Sequence, residues 1–224
     1  MKIRKAVIYS YNIEEQSRFF SNLLSPELVE RSGQLVKIKL GTSELEIIPS
    51  SQPLESVYHI AFNIDPLLLH QSLDYLAARQ IEIIPFEDMS IVNFPDWNAQ
   101  SVYFKDADGN ILEFIARYNL MTGNQDSIFT SRHILSISEV GIPVNDTKDF
   151  ISAIESLSNW RTWKTSGPEF SAVGDEKGLL IVVKEPRNWF PTSIAAKQLP
   201  VELVLEGAGN NFEFNNIKIS FEKI

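Results

Sequence analysis

Residues 101–118 read SVYFKDADGNILEFIARY. Val102–Phe104 and Ile111–Ile115 are two short runs of strand formers. The Asp106–Asn110 segment between them holds an Asp-Gly pair, which suits a tight hairpin turn. Side chains alternate across a strand, so Ile111, Glu113 and Ile115 share one face, and Leu112, Phe114 and Ala116 the other. Glu113 thus stands between two isoleucines. A carboxylate stripped of water there costs several kcal/mol or takes up a proton, unless a cation, a hydrogen-bond donor or a metal compensates. The sequence therefore predicts a partner for Glu113.

Upstream of the hairpin, VYHIAFNI (57–64) reads as a strand, Asp65-Pro66 as a helix start, Leu69, Leu73 and Leu76 as its buried stripe, and IEIIPF (81–86) as a further strand. The chain opens in the same order. Ile3–Tyr11 is a strand, and a helix follows with Asn12 or a neighbour as cap and Phe19, Phe20, Leu23 and Leu24 on one side. QLVKIKL (34–40), a turn at 41–43 and the strand Leu45–Ile48 complete that unit. A third copy follows the polar stretch Met121–Arg132: the strand SISEVGIPV (136–144), a helix marked by Phe150, Ile151, Ile154 and Leu157, and the apolar run GLLIVV (178–183). After Pro200, VELVLEG, FEF and IKISFEKI are strand-like with no helix between them, a fourth copy cut down. A repeated unit fixes architecture better than any single propensity. It predicts an α+β chain of tandem βαβββ modules in two domains, residues 1–120 and a degenerate 134–224.

The 224 residues suffice for those two domains. A formal net charge of -9, with no long basic run, opposes nucleic acid or an anionic membrane as partner and leaves a small molecule as the expected one. There is no cysteine, which excludes disulfides, thiolate metal sites and cysteine nucleophiles. The N-terminal stretch turns acidic before any apolar run long enough for a signal peptide. No segment approaches the roughly 20 apolar residues of a membrane span, so the cytoplasm is the expected location.

Three further strands carry a polar residue near their middle. His59 shares a face with Val57 and Ala61, opposite the bulkier Tyr58, Ile60 and Phe62, which suit a covering helix. Glu46 lies with Glu44 and Ile48, and Lys5 with Ile3, Val7 and Tyr9. Matching the units strand by strand sets Lys5 against His59 and Glu46 against Glu113. Pairing the first unit with the second then predicts one concave cleft holding all four, within reach of Tyr9. Phe94 and Trp97, in the segment just before the hairpin, either grip a small molecule over this cleft or cover the sheet edge. Trp160, Trp163 and Trp189 suit core or interface packing more than a cofactor site.

With YHIAF opening the second unit and YFKDADGNILEF closing it, the tandem units resemble the vicinal oxygen chelate superfamily of glyoxalases, fosfomycin-resistance enzymes, extradiol dioxygenases and bleomycin-binding proteins. Residues 1–118 carry the resemblance; from about residue 136 it is one of unit order. It implies a divalent metal (Mn, Ni, Fe or Zn) held by facing strands, with His59, Glu113 and Glu46 as ligands and Glu46 able to leave the metal and act as base. The implied activity is that of a metal-dependent lyase, isomerase or dioxygenase on a small oxygen-rich molecule. Such domains pair within a chain or in a homodimer. Lys5 stands where the first unit would usually supply a histidine, and an ammonium has no lone pair to donate and repels a cation. The alternative is therefore a metal-free small-molecule binding protein of the bleomycin-resistance type, with Lys5 meeting an anionic group. Glu139 occupies the equivalent of Lys5 in the second half, but GLLIVV and IKISF carry no matching carboxylate, so that half reads as scaffold or wall.

Overall fold

The computed structural model describes residues 1–223, the side chains of Thr165 and Ser166 excepted. Four units follow one another along the chain. The first runs β1 (Lys2–Ser10), α1 (Ile13–Leu23), β2 (Val29–Ser32), β3 (Leu35–Leu40) and β4 (Ser43–Pro49). The second runs β5 (His59–Ile64), α2 (Leu69–Ala77), β6 (Ile83–Ile84), β7 (Val92–Phe94), β8 (Ala99–Lys105) and β9 (Ile111–Arg117). The third comprises β10 (Ile134–Val144), α3 (Thr147–Leu157), β11 (Thr162–Ser166), β12 (Phe170–Asp175) and β13 (Gly178–Lys184). The fourth has strands alone, β14 (Val201–Glu206), β15 (Phe212–Phe214) and β16 (Ile217–Glu222). Among the described residues no helix is long and apolar enough to cross a membrane.

The hairpin forms as its sequence predicts. Asp106 Oδ1 accepts from the backbone N–H groups of Asp108 and Asn110 at 3.0 and 2.9 Å, and Gly109 takes a positive φ of 81°. One side-chain oxygen thus satisfies two turn donors, and glycine supplies the left-handed backbone. At the second helix Asp65 Oδ1 accepts from Leu67 N at 3.0 Å, and Pro66 opens the first turn, where its missing N–H costs nothing. At the first helix Asn12 is the cap position but makes no side-chain capping bond.

In every unit the first and last strands are parallel neighbours: β1 with β4, β5 with β9, β10 with β13 and β14 with β16. Parallel neighbours cannot be joined by a tight turn, and in the first three units a helix-containing crossover bridges them. Phe20 and Leu23 of α1, Leu69 and Leu76 of α2, and Phe150 and Ile154 of α3 are buried against the sheet. Ile60, Phe62, Leu112 and Phe114 meet them from the strand side with no exposed surface, each side chain contributing about 1.5–3 kcal/mol.

Pairing between units departs from the expected order. β5 lies antiparallel to β10, with Ala61 opposite Glu139, and β1 lies antiparallel to β14, with Val7 opposite Glu202. A strand has two edges: those of β5 are taken by β9 and β10, and those of β1 by β4 and β14, save for one contact of Ile3 with Ile137. The second unit therefore builds its cleft with the third, across the segment that separates residues 120 and 134, and the first unit builds another with the fourth. Lys5 and Glu46 consequently leave the cleft that holds His59.

Candidate functional site

His59 on β5, Glu113 on β9 and Glu139 on β10 project from neighbouring strands, away from the helices, and converge. Their ligating atoms lie within 4.8 Å of one another. The His59 Nε2 atom is 3.5 Å from Glu113 Oε2 and 4.0 Å from Glu139 Oε2. The other oxygen of each acid is tied elsewhere. Ser101 Oγ donates to Glu113 Oε1 at 2.5 Å, and Arg117 Nη2 donates to Glu139 Oε1 while its Nε donates to Ser138 Oγ at 3.2 Å. Each carboxylate is thus oriented by a protein donor and presents its inner oxygen to the imidazole.

All three side chains are buried, at 6%, 2% and 6% exposure. Burial lowers the His59 pKa to about 4, so its imidazole is neutral at physiological pH. Burial, and then the charge of Glu139, pushes Glu113 up to about 8, so without a cation nearby it keeps a proton at neutral pH. Glu139 is also raised by burial, against the pull of Arg117. Trp189 and Tyr103 flank the imidazole, with ring centroids at 5.4 and 6.5 Å. His59 Nδ1 is buried without a hydrogen-bond partner among the described residues.

The fourth strand of this cleft, β13, places Ile181 opposite Gly141, in the register that sets Glu113 opposite Ala61 on β9. Three protein donors therefore face the centre and an apolar side chain takes the fourth place. Gly141 has its own reason to be glycine: a Cβ there would come 2.4 Å from the Trp189 ring and 3.1 Å from His59 Cβ. Above the three polar residues opens a cavity of about 270 Å³, whose wall includes Phe94, Trp97, Phe170, Trp189 and Phe190.

Of the residues singled out in the sequence, His59, Glu113, Phe94 and Trp97 come together here. Glu46, Lys5 and Tyr9 do not. Glu46 Oε1 lies 3.5 Å from Lys5 Nζ and 3.0 Å from Lys37 Nζ, and the Tyr9 hydroxyl lies 3.5 Å from Glu202, all in the cleft between the first and fourth units. Glu46 is thus neither a ligand nor a base beside His59, because β4 borders β1 and not β5. Lys5 and Tyr9 ride on β1 and leave with it. The third unit, expected as scaffold, instead supplies Glu139. Trp189, expected in core packing, closes over the imidazole. A signal for Trp189 lies in Gly141, since a glycine inside a strand marks close approach of another group.

No known family profile matches the chain's sequence. Among solved structures, a candidate dioxygenase from Bacillus subtilis aligns with 100% of this chain and 85% of its own, at a TM-score of 0.64 and 11% identity. The chain has the vicinal oxygen chelate fold. A variant of glyoxalase I from Zea mays aligns with 91% of this chain and 74% of its own, at a TM-score of 0.54 and 14% identity. At such identities the likeness is one of fold alone, and any chemistry has to be argued from the residues themselves.

Proposed function

We propose that this chain is a metal-dependent enzyme of the glyoxalase and dioxygenase type, acting on a small oxygen-rich molecule, with His59, Glu113 and Glu139 as the metal ligands. The carrying observation is that each carboxylate has one oxygen fixed by a protein donor and the other facing His59 Nε2. One neutral imidazole and two carboxylates form a nitrogen and oxygen donor set that suits Mn²⁺, Fe²⁺, Ni²⁺ or Zn²⁺. Two adjacent buried acids with a single guanidinium between them leave a charge that a cation or a proton must balance. The sequence-based objection, an ammonium among the ligands, falls away because Lys5 lies in the other cleft.

Bound there, a divalent ion polarises substrate oxygens and lowers the cost of moving a proton or a bond next to them. The chain's own residues do the rest. Ser101 and Arg117 orient the two acids, Trp189 and Tyr103 hold the imidazole plane, and Ile181 in the fourth place leaves room for substrate oxygens. In the metal-free cluster Glu113 holds a proton; as a ligand it would be the carboxylate, with Oε1 kept on Ser101.

A second reading, metal-free binding of a small molecule, is favoured by the same proton on Glu113, which neutralises the cluster without an ion. Elemental analysis and Mn²⁺ titration separate the two. The expected result is one equivalent of metal in the wild type, with affinity reduced at least about tenfold in each of His59→Ala, Glu113→Gln and Glu139→Gln, and unchanged in Glu46→Gln. Failure to take up any of Mn²⁺, Fe²⁺, Ni²⁺ and Zn²⁺ gives the second reading precedence.

A further inference from the structure

The two strands that carry His59 and Glu113 run on past the cluster to a second cavity. Asn63 follows His59 and Ala61 on one face of β5, and Arg117 follows Glu113 and Ile115 on the same face of β9. Asn63 lies opposite Ile115 on one side and opposite Ser136 of β10 on the other. Asn63, Arg117 and Ser136 line a cavity of about 200 Å³ that, among the described residues, shares no wall residue with the one above His59. Its described wall holds three cations, Lys2, Arg117 and Lys177, and no acid, in a chain whose formal net charge is -9. Lys2 already sits 3.1 Å from Glu206, and Lys177 is exposed. These two supply a positive field, and the contacts fall to the buried residues.

Arg117 and Asn63 are 1% and 5% exposed. A guanidinium has N–H groups on all three nitrogens to place. Nε goes to Ser138 and Nη2 to Glu139, but Nη1 has no hydrogen-bond partner among the described residues. The rings of Trp97 and Trp163, 5.6 and 5.9 Å from its Cζ, attract the charge without supplying an acceptor atom. Asn63 Nδ2 donates to Ser136 Oγ at 3.1 Å, and its Oδ1 is likewise without a partner among the described residues. The wall thus has a cationic donor and a neutral acceptor left over, and each costs about 1–3 kcal/mol while buried unpaired. A ligand that answers both carries an ionised oxygen and an O–H on one small centre. Hydrogenphosphate and hydrogencarbonate do so; sulfate keeps no proton at neutral pH and answers only the donor.

We propose that this second cavity binds a small protonated oxyanion, whose ionised oxygen accepts from Arg117 Nη1 and whose O–H donates to Asn63 Oδ1. The test is isothermal calorimetry at pH 7.5 with phosphate, hydrogencarbonate and sulfate, on the protein as purified and again after dialysis against EDTA. In both preparations phosphate or hydrogencarbonate binds about tenfold or more tighter than sulfate, and the tighter of the two names the anion. Asn63→Ala lowers that anion to the level of sulfate and leaves sulfate unchanged. Arg117→Lys, which keeps a cation beside Glu139 and removes Nη1, weakens all three. Lys5→Gln and Arg187→Gln, whose cations line the other two cavities, leave binding intact. Equal affinity for sulfate and the preferred anion, unaltered binding in Asn63→Ala, or loss of binding on EDTA dialysis or in Arg187→Gln overturns the assignment. Absence of binding by all three anions overturns it as well and leaves the two atoms to a water molecule. None of these outcomes requires a metal at His59, so this assignment and the metal site fail separately.

Discussion

The molecule holds two versions of one cleft, and they have solved the same charge problem differently. Register makes them comparable: Glu113 opposite Ala61 and Glu139 opposite Ala61 in one, Glu46 opposite Val7 and Glu202 opposite Val7 in the other. His59 then corresponds to Lys5, two residues before those alanine and valine positions. Ile181, opposite Gly141, corresponds to Ser220, opposite Val204. In the first cleft two acids and an imidazole are buried under Trp189 and share one arginine. In the second, Lys5 and Lys37 sit on Glu46, and Lys218 lies 3.3 Å from Glu202.

The consequence shows in the acids. Burial would raise Glu46, but Lys37 and Lys5 outweigh it and hold its pKa below the usual carboxylate value, whereas Glu113 is pushed up to about 8. The second cleft is neutralised by ammonium groups on the chain itself. Among the described residues the first has no ammonium beside its acids and one guanidinium, Arg117, on Glu139, and that is the physical condition under which an external cation gains most.

The strongest way to break this comparison is to write the second solution into the first cleft. His59→Lys should remove Mn²⁺ binding by on the order of a hundredfold while the protein stays folded, because an ammonium can pair with Glu113 and Glu139 as Lys5 does with Glu46. Retained metal stoichiometry in isothermal titration would show that the imidazole is not a ligand. A smaller effect comes from the cover. Gly141→Ala puts a methyl 2.4 Å from the Trp189 ring, so Trp189 must move off His59; the thermal midpoint should fall by about 4 °C or more, with metal affinity several-fold weaker. An unchanged midpoint would mean that the cover gives way at no cost.

Acid–base behaviour sharpens the contrast further. In the metal-free protein Glu113 titrates near 8 when folded against 4.5 unfolded, so its contribution is full below pH 4.5 and is lost as pH rises to about 8. His59 acts in the opposite sense: at about 4 when folded against 6.5 unfolded, it lowers stability as pH falls below 6.5. The two oppose each other up to pH 6.5; from there to about 8 the imidazole no longer contributes, and Glu113 changes together with its neighbour Glu139, which burial also raises. Thermal midpoints of metal-free protein should decline over that last interval, Glu113→Gln should flatten the decline, and a flat wild-type profile counts against the buried proton. The smallest effect belongs to the second cleft. Glu46→Gln breaks partly exposed ion pairs and should cost about 1 kcal/mol or less in urea denaturation, with metal binding untouched. A loss of metal binding there would mean that the two clefts are coupled.

Much of this was readable from residues 1–224 alone. Alternation placed Glu113 and His59 on the face away from the helices, the Asp-Gly turn placed the hairpin, and the repeating order of apolar runs gave four units, the last without a helix. These are local facts, fixed by side-chain periods along one strand and by the backbone needs of one turn. Which unit pairs with which is another kind of fact. Every unit offers the same free edge on its first strand, and the hydrogen bonds that fill it are backbone bonds, nearly blind to side-chain identity. The expectation that neighbours in sequence pair in space therefore put Glu46 and Lys5 beside His59, whereas the folded chain brings Glu139 there from 80 residues downstream. The sequence by itself determined what each strand carries; only the closing of the sheet decided which strands share a cleft, because that choice depends on how four curved units fit together and not on the pattern within any one of them.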